Sequence, residues 1–156
     1  MSQSVPRRGT LLLAAALTLA ACTRPLPPDG ALPPSGPPQA VQPQLVSSLR
    51  VEAGDTVVLT LQVTNPTAAP VTFAFPSGQT YDFVVRPAGA GAEVWRWSAG
   101  MGFTQAVQTL TLAPGATWTF GGRWAPPAGT RGEFAAVGRL TSGDRPVERT
   151  ATFRLP

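Results

Sequence analysis

The residue types that most often carry out enzymatic chemistry are almost missing from this chain of 156 residues. It contains no histidine and no lysine, and Cys22 is its single cysteine. Without an imidazole there is no Ser-His-Asp triad, and without lysine there is neither a Schiff base nor a Ser–Lys pair. The usual ligand sets for zinc and for iron–sulfur clusters cannot form either. We therefore expect no metal and no cofactor.

Carboxylate chemistry is the option that the composition leaves open. The acidic residues after position 43 are Glu52, Asp55, Asp82, Glu93, Glu133, Asp144 and Glu148. Their spacing does not match a calcium-binding loop, and a glycosidase would need two of them facing each other across a cleft. Asp82 is predicted either to be solvated on an outer face or to bond a neighbouring loop. We expect no enzymatic activity and no small-molecule substrate.

The basic residues do not indicate a nucleic-acid partner. All 12 are arginines, and they are spread along the chain against eight acidic residues. Nucleic-acid binding requires a basic patch or stripe, and the sequence shows no such cluster.

Residues 1–21 have the features of a secretory signal. Arg7 and Arg8 precede an apolar stretch that is too short to cross a bilayer core of ~30 Å as a helix. The run Leu19-Ala20-Ala21-Cys22 resembles a bacterial lipobox, whose cysteine carries diacylglycerol and palmitate. We expect an exported lipoprotein, anchored through Cys22 to the cell membrane or outer membrane. The alternative is an ordinary signal peptide followed by a chance cysteine.

Residues 22–43 form a second segment, which contains eight prolines after the cysteine. Such a composition cannot bury enough apolar surface to fold, and proline favours extended polyproline II. We expect a disordered tether that holds the following domain clear of the lipid. The alternative is a proline-rich recognition ligand.

From residue 44 to residue 156 the sequence predicts strands. Short alternating runs are separated by Gly/Pro-rich turns, and the clearest run places Val57, Leu59, Leu61 and Val63 on one face. No stretch shows a sustained helical period. About eight strands in this length predict an immunoglobulin-like antiparallel β-sandwich. With a single cysteine, the domain cannot form an internal disulfide and must rely on burial.

Trp95 and Trp97 share one face of a predicted strand, because side chains alternate with period two. Arg96, on the opposite face, prefers water. This arrangement favours a core position for the two indoles, although exposed aromatic anchors for a partner protein are the alternative.

Residues 75–115 resemble the BsuPI-type intracellular proteinase inhibitor domain, and the likeness extends over roughly residues 50–126. The matching elements are Ser77-Gly78-Gln79, Tyr81-Asp82-Phe83, Val94-Trp95-Arg96-Trp97-Ser98, Phe103, Gln105-Ala106 and Pro114-Gly115. We expect most of these motif residues to be structural, namely Ser77, Gly78, Tyr81, Asp82, Phe83, Trp95 and Trp97. The resemblance implies an all-β domain that binds and inhibits a serine protease of subtilisin type. The alternative is a non-inhibitory structural, adhesion or assembly domain of the cell envelope.

Residues 98–105 are the candidate partner-binding loop, because Met101 and Phe103 lie there among small residues. An inhibitory loop that mimics a substrate needs an extended backbone and one side chain for the specificity pocket. Subtilisin-like pockets accept large apolar groups, so either residue could serve. The alternative is that Phe103 closes the open end of the sandwich while Met101 fills a gap beside it.

Overall fold

The computed structural model describes residues 44–89 and 91–156. The predicted signal peptide, Cys22 and the proline-rich segment lie outside these residues. The described part holds nine strands and no helix, which confirms the all-β prediction, although about eight strands were expected. Within the same residues, no helix is long and apolar enough to cross a membrane.

The strands follow one another along the chain at short intervals. They are β1 (Val46–Glu52), β2 (Val57–Thr64), β3 (Val71–Phe75), β4 (Tyr81–Pro87), β5 (Trp95–Arg96), β6 (Gln108–Leu112), β7 (Thr117–Trp124), β8 (Gly132–Leu140) and β9 (Glu148–Leu155).

The strands pair antiparallel throughout and form a sandwich. One sheet has the order β1-β2-β7, the second has the order β5-β4-β8-β9, and β3 pairs with β6 in a separate ladder. The two larger sheets face each other closely. A Cβ built on Gly122 of β7 would lie 2.7 Å from the Phe83 ring of β4, so only glycine fits at that point.

The core lies between these sheets, where the alternation of the sequence places the apolar side chains. Val57, Leu59, Leu61 and Val63 are each 0% exposed, as their shared parity predicted. Their counterparts come from the other strands and from Val147, just before β9: Val71, Phe73, Phe75, Phe83, Val85, Leu112, Trp124, Phe134, Ala136, Leu140, Val147 and Leu155.

A buried asparagine organises the end of β2. The Asn65 side chain donates to the carbonyl groups of Ala69, Leu112 and Ala113 at 2.8, 3.1 and 3.2 Å. The Asn65 backbone carbonyl accepts a hydrogen bond from Gly115 N. Gly115 has a φ of +68°, a backbone conformation that residues other than glycine rarely adopt. Asn65 therefore ties the β2–β3 turn to the turn that joins β6 to β7.

Candidate binding loop and adjoining cleft

The chain leaves the second sheet after β5 and crosses to β6 through residues 98–107, which we call the 98–107 loop. Residues 101–107 have no regular secondary structure. The loop begins with a tight turn, in which Met101 N donates to the Ser98 carbonyl at 3.1 Å and Gly100 has a φ of +77°. Met101 then projects from between two glycines with 48% of its surface exposed.

Phe103 is the loop's inward-facing residue. It is half-buried, and its ring packs on the Trp97 indole with a centroid separation of 6.0 Å. The expectation that Phe103 plugs the sandwich therefore agrees with its position. The companion expectation, that Met101 fills a gap beside it, is wrong, because the methionine side chain is largely in solvent.

A row of aromatic rings continues from Phe103 into the core. Trp97 packs on Tyr81 at 4.1 Å, and Tyr81 packs on Phe120 at 4.8 Å. Phe120 in turn meets Trp118 at 6.2 Å. The loop is thus connected to the sheet interior by contiguous rings, an arrangement in which each pair adds roughly 0.5–1.5 kcal/mol beyond area burial.

The two indoles of the WRW run lie at the edge of the core. Trp95 stacks with Trp124 at 6.5 Å, and both Trp95 and Trp97 pack against the buried cluster while remaining half-exposed. Phe83, from the neighbouring strand, is fully buried. Each indole therefore has one part in the core and another part available at the surface.

The second half of the loop is held by the Ser-Gly pair of the family-like motif. Gly78 N donates to the Thr104 carbonyl at 2.8 Å, and the Ser77 carbonyl accepts from the Gln108 side chain at 3.0 Å. A Cβ on residue 78 would lie only 2.5 Å from the Thr104 hydroxyl oxygen. Glycine is therefore required for the close approach of the loop.

The first half of the loop is held by Asp82, and here the expectation of a solvated aspartate is wrong. Its side chain is 2% exposed and accepts from Arg96 Nη1 at 2.6 Å. The other carboxylate oxygen accepts from Ser98 N at 3.2 Å, so the alternative prediction, a bond to a neighbouring loop, is confirmed. Arg139, directly opposite on β8, lies 3.5 Å from the carboxylate. The guanidinium groups of Arg96 and Arg139, together with Ser98 at the start of the loop, exclude water from Asp82.

Arg96 also bonds a second acid. Its Nε donates to Glu93 Oε1 at 2.9 Å, and its Nη2 donates to the other Glu93 oxygen. The bond to Glu93, followed by the bond and charge of Asp82, raises the pKa of the Arg96 guanidinium against the opposing effect of burial. The sequence did not predict this network, and its signal there is limited to an acid three residues before an arginine.

Beside the loop lies a cleft of about 690 Å³. Its walls combine residues of β5 and the loop with residues of β2 and β7 of the first sheet: Val58, Leu59, Thr60, Trp95, Arg96, Trp97, Ala99, Met101, Gly121, Gly122 and Arg123. The described residues contain no group of three or more His, Cys, Asp or Glu side chains that could hold a metal ion. Apolar walls, exposed backbone and a guanidinium group suit the binding of another polypeptide.

Solved structures that match this chain come from several sources. β-Glucosidase from Kluyveromyces marxianus is 9% identical with a TM-score of 0.38, and the match covers 72% of this chain and 14% of that chain. β-Glucosidase 3B from Thermotoga neapolitana is 12% identical with a TM-score of 0.37, covering 71% and 16%. This chain therefore spans about one-seventh of the length of these two proteins. A protein from Archaeoglobus fulgidus is 13% identical with a TM-score of 0.35, covering 72% and 96%.

Curated protein sequences give no match to this chain. A family model does match, over residues 45–144, and its description is BsuPI, intracellular proteinase inhibitor. The matched segment includes the 98–107 loop and the residues that hold it. Because the match covers well over half of the chain, this protein belongs to the BsuPI family of proteinase inhibitors.

Proposed function

We propose that this protein inhibits a serine protease of subtilisin type by presenting Met101 of the 98–107 loop to the active site. Family membership supports a proteinase as the target. The observation that carries the choice of loop is its combination of a segment without regular secondary structure, residues 101–107, with attachment on both sides of Met101. Asp82 holds Ser98, and Gly78 holds Thr104.

Firm attachment matters because a substrate-like inhibitor must already have its bound conformation. A segment that is ordered only upon binding loses affinity through the entropy of ordering. Between its two attached ends, Ser98 and Thr104, lie the five residues 99–103, and Phe103 is itself packed on Trp97. The protease would therefore meet a short segment that needs little further ordering.

Met101 is favoured over Phe103 as the residue that enters the specificity pocket. Met101 is 48% exposed, whereas Phe103 is half-buried and contributes to the aromatic row. The flanking residues, Gly100 and Gly102, carry no side chains, so the walls of an enzyme cleft could approach the backbone closely. An unbranched apolar side chain suits a large apolar pocket.

The proposed site of action is outside the cytoplasm, and the support for it is the sequence of the N-terminal segment alone. A signal over residues 1–21, a lipidated Cys22 and a proline-rich tether would place the domain on the outer side of a bacterial membrane. The target would then be an exported protease. Incorporation of labelled palmitate should depend on Cys22, and Cys22→Ser should release the chain from the membrane fraction.

Inhibition is tested by titrating subtilisin with the full chain while following hydrolysis of a chromogenic peptide. We expect stoichiometric loss of activity, and we expect Met101→Asp to weaken inhibition at least about tenfold, the equivalent of 1.4 kcal/mol. Val46→Asp is the matched control, because Val46 is 59% exposed on β1, outside the loop.

Two results would contradict the proposal. In the first, Met101→Asp and Val46→Asp inhibit equally well with unchanged melting temperatures, which removes the methionine from the interface. In the second, subtilisin degrades the chain steadily without being inhibited. Such degradation would favour a structural role in the cell envelope.

A further inference from the structure

The edge of β7 that faces away from β2 is a second candidate binding surface. Within residues 44–89 and 91–156, β7 pairs only with β2, and β6, which precedes it in the chain by a short turn, pairs with β3 instead. The Gly121 carbonyl accepts a long bond of 3.4 Å from the Tyr81 hydroxyl, so this peptide group points away from β2. Because alternate residues of a strand point to the same edge, Thr119 and Arg123 also direct their backbone groups outward.

Two clefts lie along consecutive parts of this edge. One, of about 280 Å³, separates the splayed strands β6 and β7, with Leu110 on one side and Trp118 on the other. The other is the cleft of about 690 Å³ beside Gly121 and Arg123, with Trp95 and Trp97 on its far wall. The smaller cleft borders residues 118–120 of β7, and the larger cleft borders residues 121–123.

β7 contains two adjacent glycines, Gly121 and Gly122, and only one of them is explained by packing inside the domain. Gly122 points inward and is explained by the Phe83 ring, which would meet its Cβ at 2.7 Å. Gly121 points outward, and a Cβ there would have nothing within 4 Å. Its lack of a side chain opens the cleft across β7 to Val58 and Thr60 of β2. Packing within the domain therefore gives no reason for glycine at position 121, whereas close approach of another backbone does.

The charge beside this edge is positive. Arg123 lines the cleft, and no carboxylate among the described residues lies within 4.0 Å of its guanidinium group. Arg96, on the opposite wall, is already bonded to Asp82 and Glu93. An incoming segment would thus meet one available cation, next to Gly121.

We infer that the free edge of β7 binds an extended, acidic segment of a partner protein, which adds to the first sheet as a further strand. The segment would exchange backbone hydrogen bonds with Thr119, Gly121 and Arg123, place apolar side chains against Trp97 and Leu110, and direct a carboxylate to Arg123. Such strand addition combines backbone bonds for affinity with side-chain pockets for specificity. The inference goes beyond protease inhibition and does not depend on it.

The test selects ligands from a displayed library of random twelve-residue peptides against the full chain. We expect the selected peptides to alternate apolar residues and to carry Asp or Glu at one position. Gly121→Pro removes the outward N–H while leaving the β2 pairing intact, and it should weaken the selected peptides at least about tenfold. Arg123→Glu should weaken them at least fivefold.

Matched variants separate docking from misfolding. Gly121→Ala keeps the N–H but adds a methyl group where the added backbone would approach, so it should bind more weakly than the parent chain and more tightly than Gly121→Pro. Arg154→Glu reverses the charge of an exposed arginine on β9 and should also bind normally. Melting temperatures of all variants show whether the fold is retained.

Three outcomes would overturn the inference: no peptide is enriched, the enriched peptides bind Gly121→Pro as well as the parent chain, or they lack acidic residues. If the parent chain instead dimerises in sedimentation and Gly121→Pro is monomeric, the occupant is a second copy rather than a partner. Because the assay contains no protease, failure of protease inhibition would not affect its result.

Discussion

Replacing Asp82 by alanine should destabilise the domain and release the first half of the 98–107 loop. The carboxylate is 2% exposed and bonds the Arg96 guanidinium and the Ser98 amide at 2.6 and 3.2 Å. Its removal leaves two arginines facing each other without their shared counter-charge. It also leaves the Ser98 N–H without its acceptor.

The size of the effect follows from burial. Breaking a fully buried ion pair by removing one partner costs about 3–5 kcal/mol. Here Arg96 and Arg139 are 31% and 41% exposed, so both can recover part of their hydration when the acid is removed. The charged hydrogen bond to Ser98 N accounts for about 1.5–3 kcal/mol of the loss, and the ion pairs, discounted for this exposure, account for about 1 kcal/mol or less. We therefore expect Asp82→Ala to cost about 2–3 kcal/mol, a fall in melting temperature of about 10 °C for a domain of this size.

Thermal and urea unfolding measure the cost, and hydrogen exchange at the Ser98 amide measures the release of the loop. Asp82→Asn keeps an oxygen acceptor and should lose about half as much. Glu93→Gln is the control, because it removes the other acid bonded to Arg96 at a 38% exposed position, where an ion pair contributes at most about 1 kcal/mol.

The reasoning about Asp82 would be refuted by either of two results. Asp82→Ala could melt no lower than Glu93→Gln, which would mean that the buried carboxylate contributes little. Alternatively, stability could fall while exchange at Ser98 stays slow, which would show that the loop does not depend on this acid.

Three further predictions concern groups around the same strands. Burial raises the pKa of Tyr81, the single tyrosine of the chain, so its absorbance at 295 nm should titrate above pH 10. The stability that comes from the neutral phenol should be lost as the pH rises through the folded-state pKa. Trp97→Ala should expose the ring and shift the titration midpoint back towards 10. Hydrogen bonds from the Ser142 hydroxyl and the Ala74 amide lower the pKa of Asp144. The contribution of this carboxylate to the free energy of unfolding is therefore present above about pH 4 and is lost as the pH falls through its folded-state pKa. Asp144→Asn should melt lower than the parent chain at about pH 7, and the difference should shrink in acid. Gly78→Ala should cost about 1–3 kcal/mol in urea unfolding, because its Cβ meets the Thr104 hydroxyl, and adding Thr104→Ala should restore most of that loss.

The strands and the core could be predicted from the sequence because they depend on alternation and burial. Val57 to Val63 alternate without interruption, and every inward position of β2 is buried as its parity requires. Parity gave the face of Trp95 and Trp97 in the same way. It could not give their degree of exposure, which depends on how far β5 extends. That strand ends after two residues because the chain turns away at Ser98.

The polar network behind the loop could not be predicted in the same way. Asp82 lies on the outer side of β4, where alternation predicts contact with water. It is buried because Arg96, 14 residues away, and Arg139, 57 residues away, cover it from two other strands. Register between distant strands decides such contacts, and local periodicity contains no information about it.

Whether β7 has a free edge also depends on pairing between distant strands. This edge lies beside the 98–107 loop, so the two proposed surfaces adjoin each other. β6 and β7 are joined by a short turn, yet β6 pairs with β3 and β7 pairs with β2. The change of partner exposes the backbone of Gly121 and leaves Met101 and Gly121 on opposite walls of one cleft. A partner that engages the loop therefore lies next to an open strand edge without any movement of the domain. A protein with a single cysteine, in which hydrogen bonds and packing hold the loop, can in this way offer a rigid contact and an adaptable one side by side.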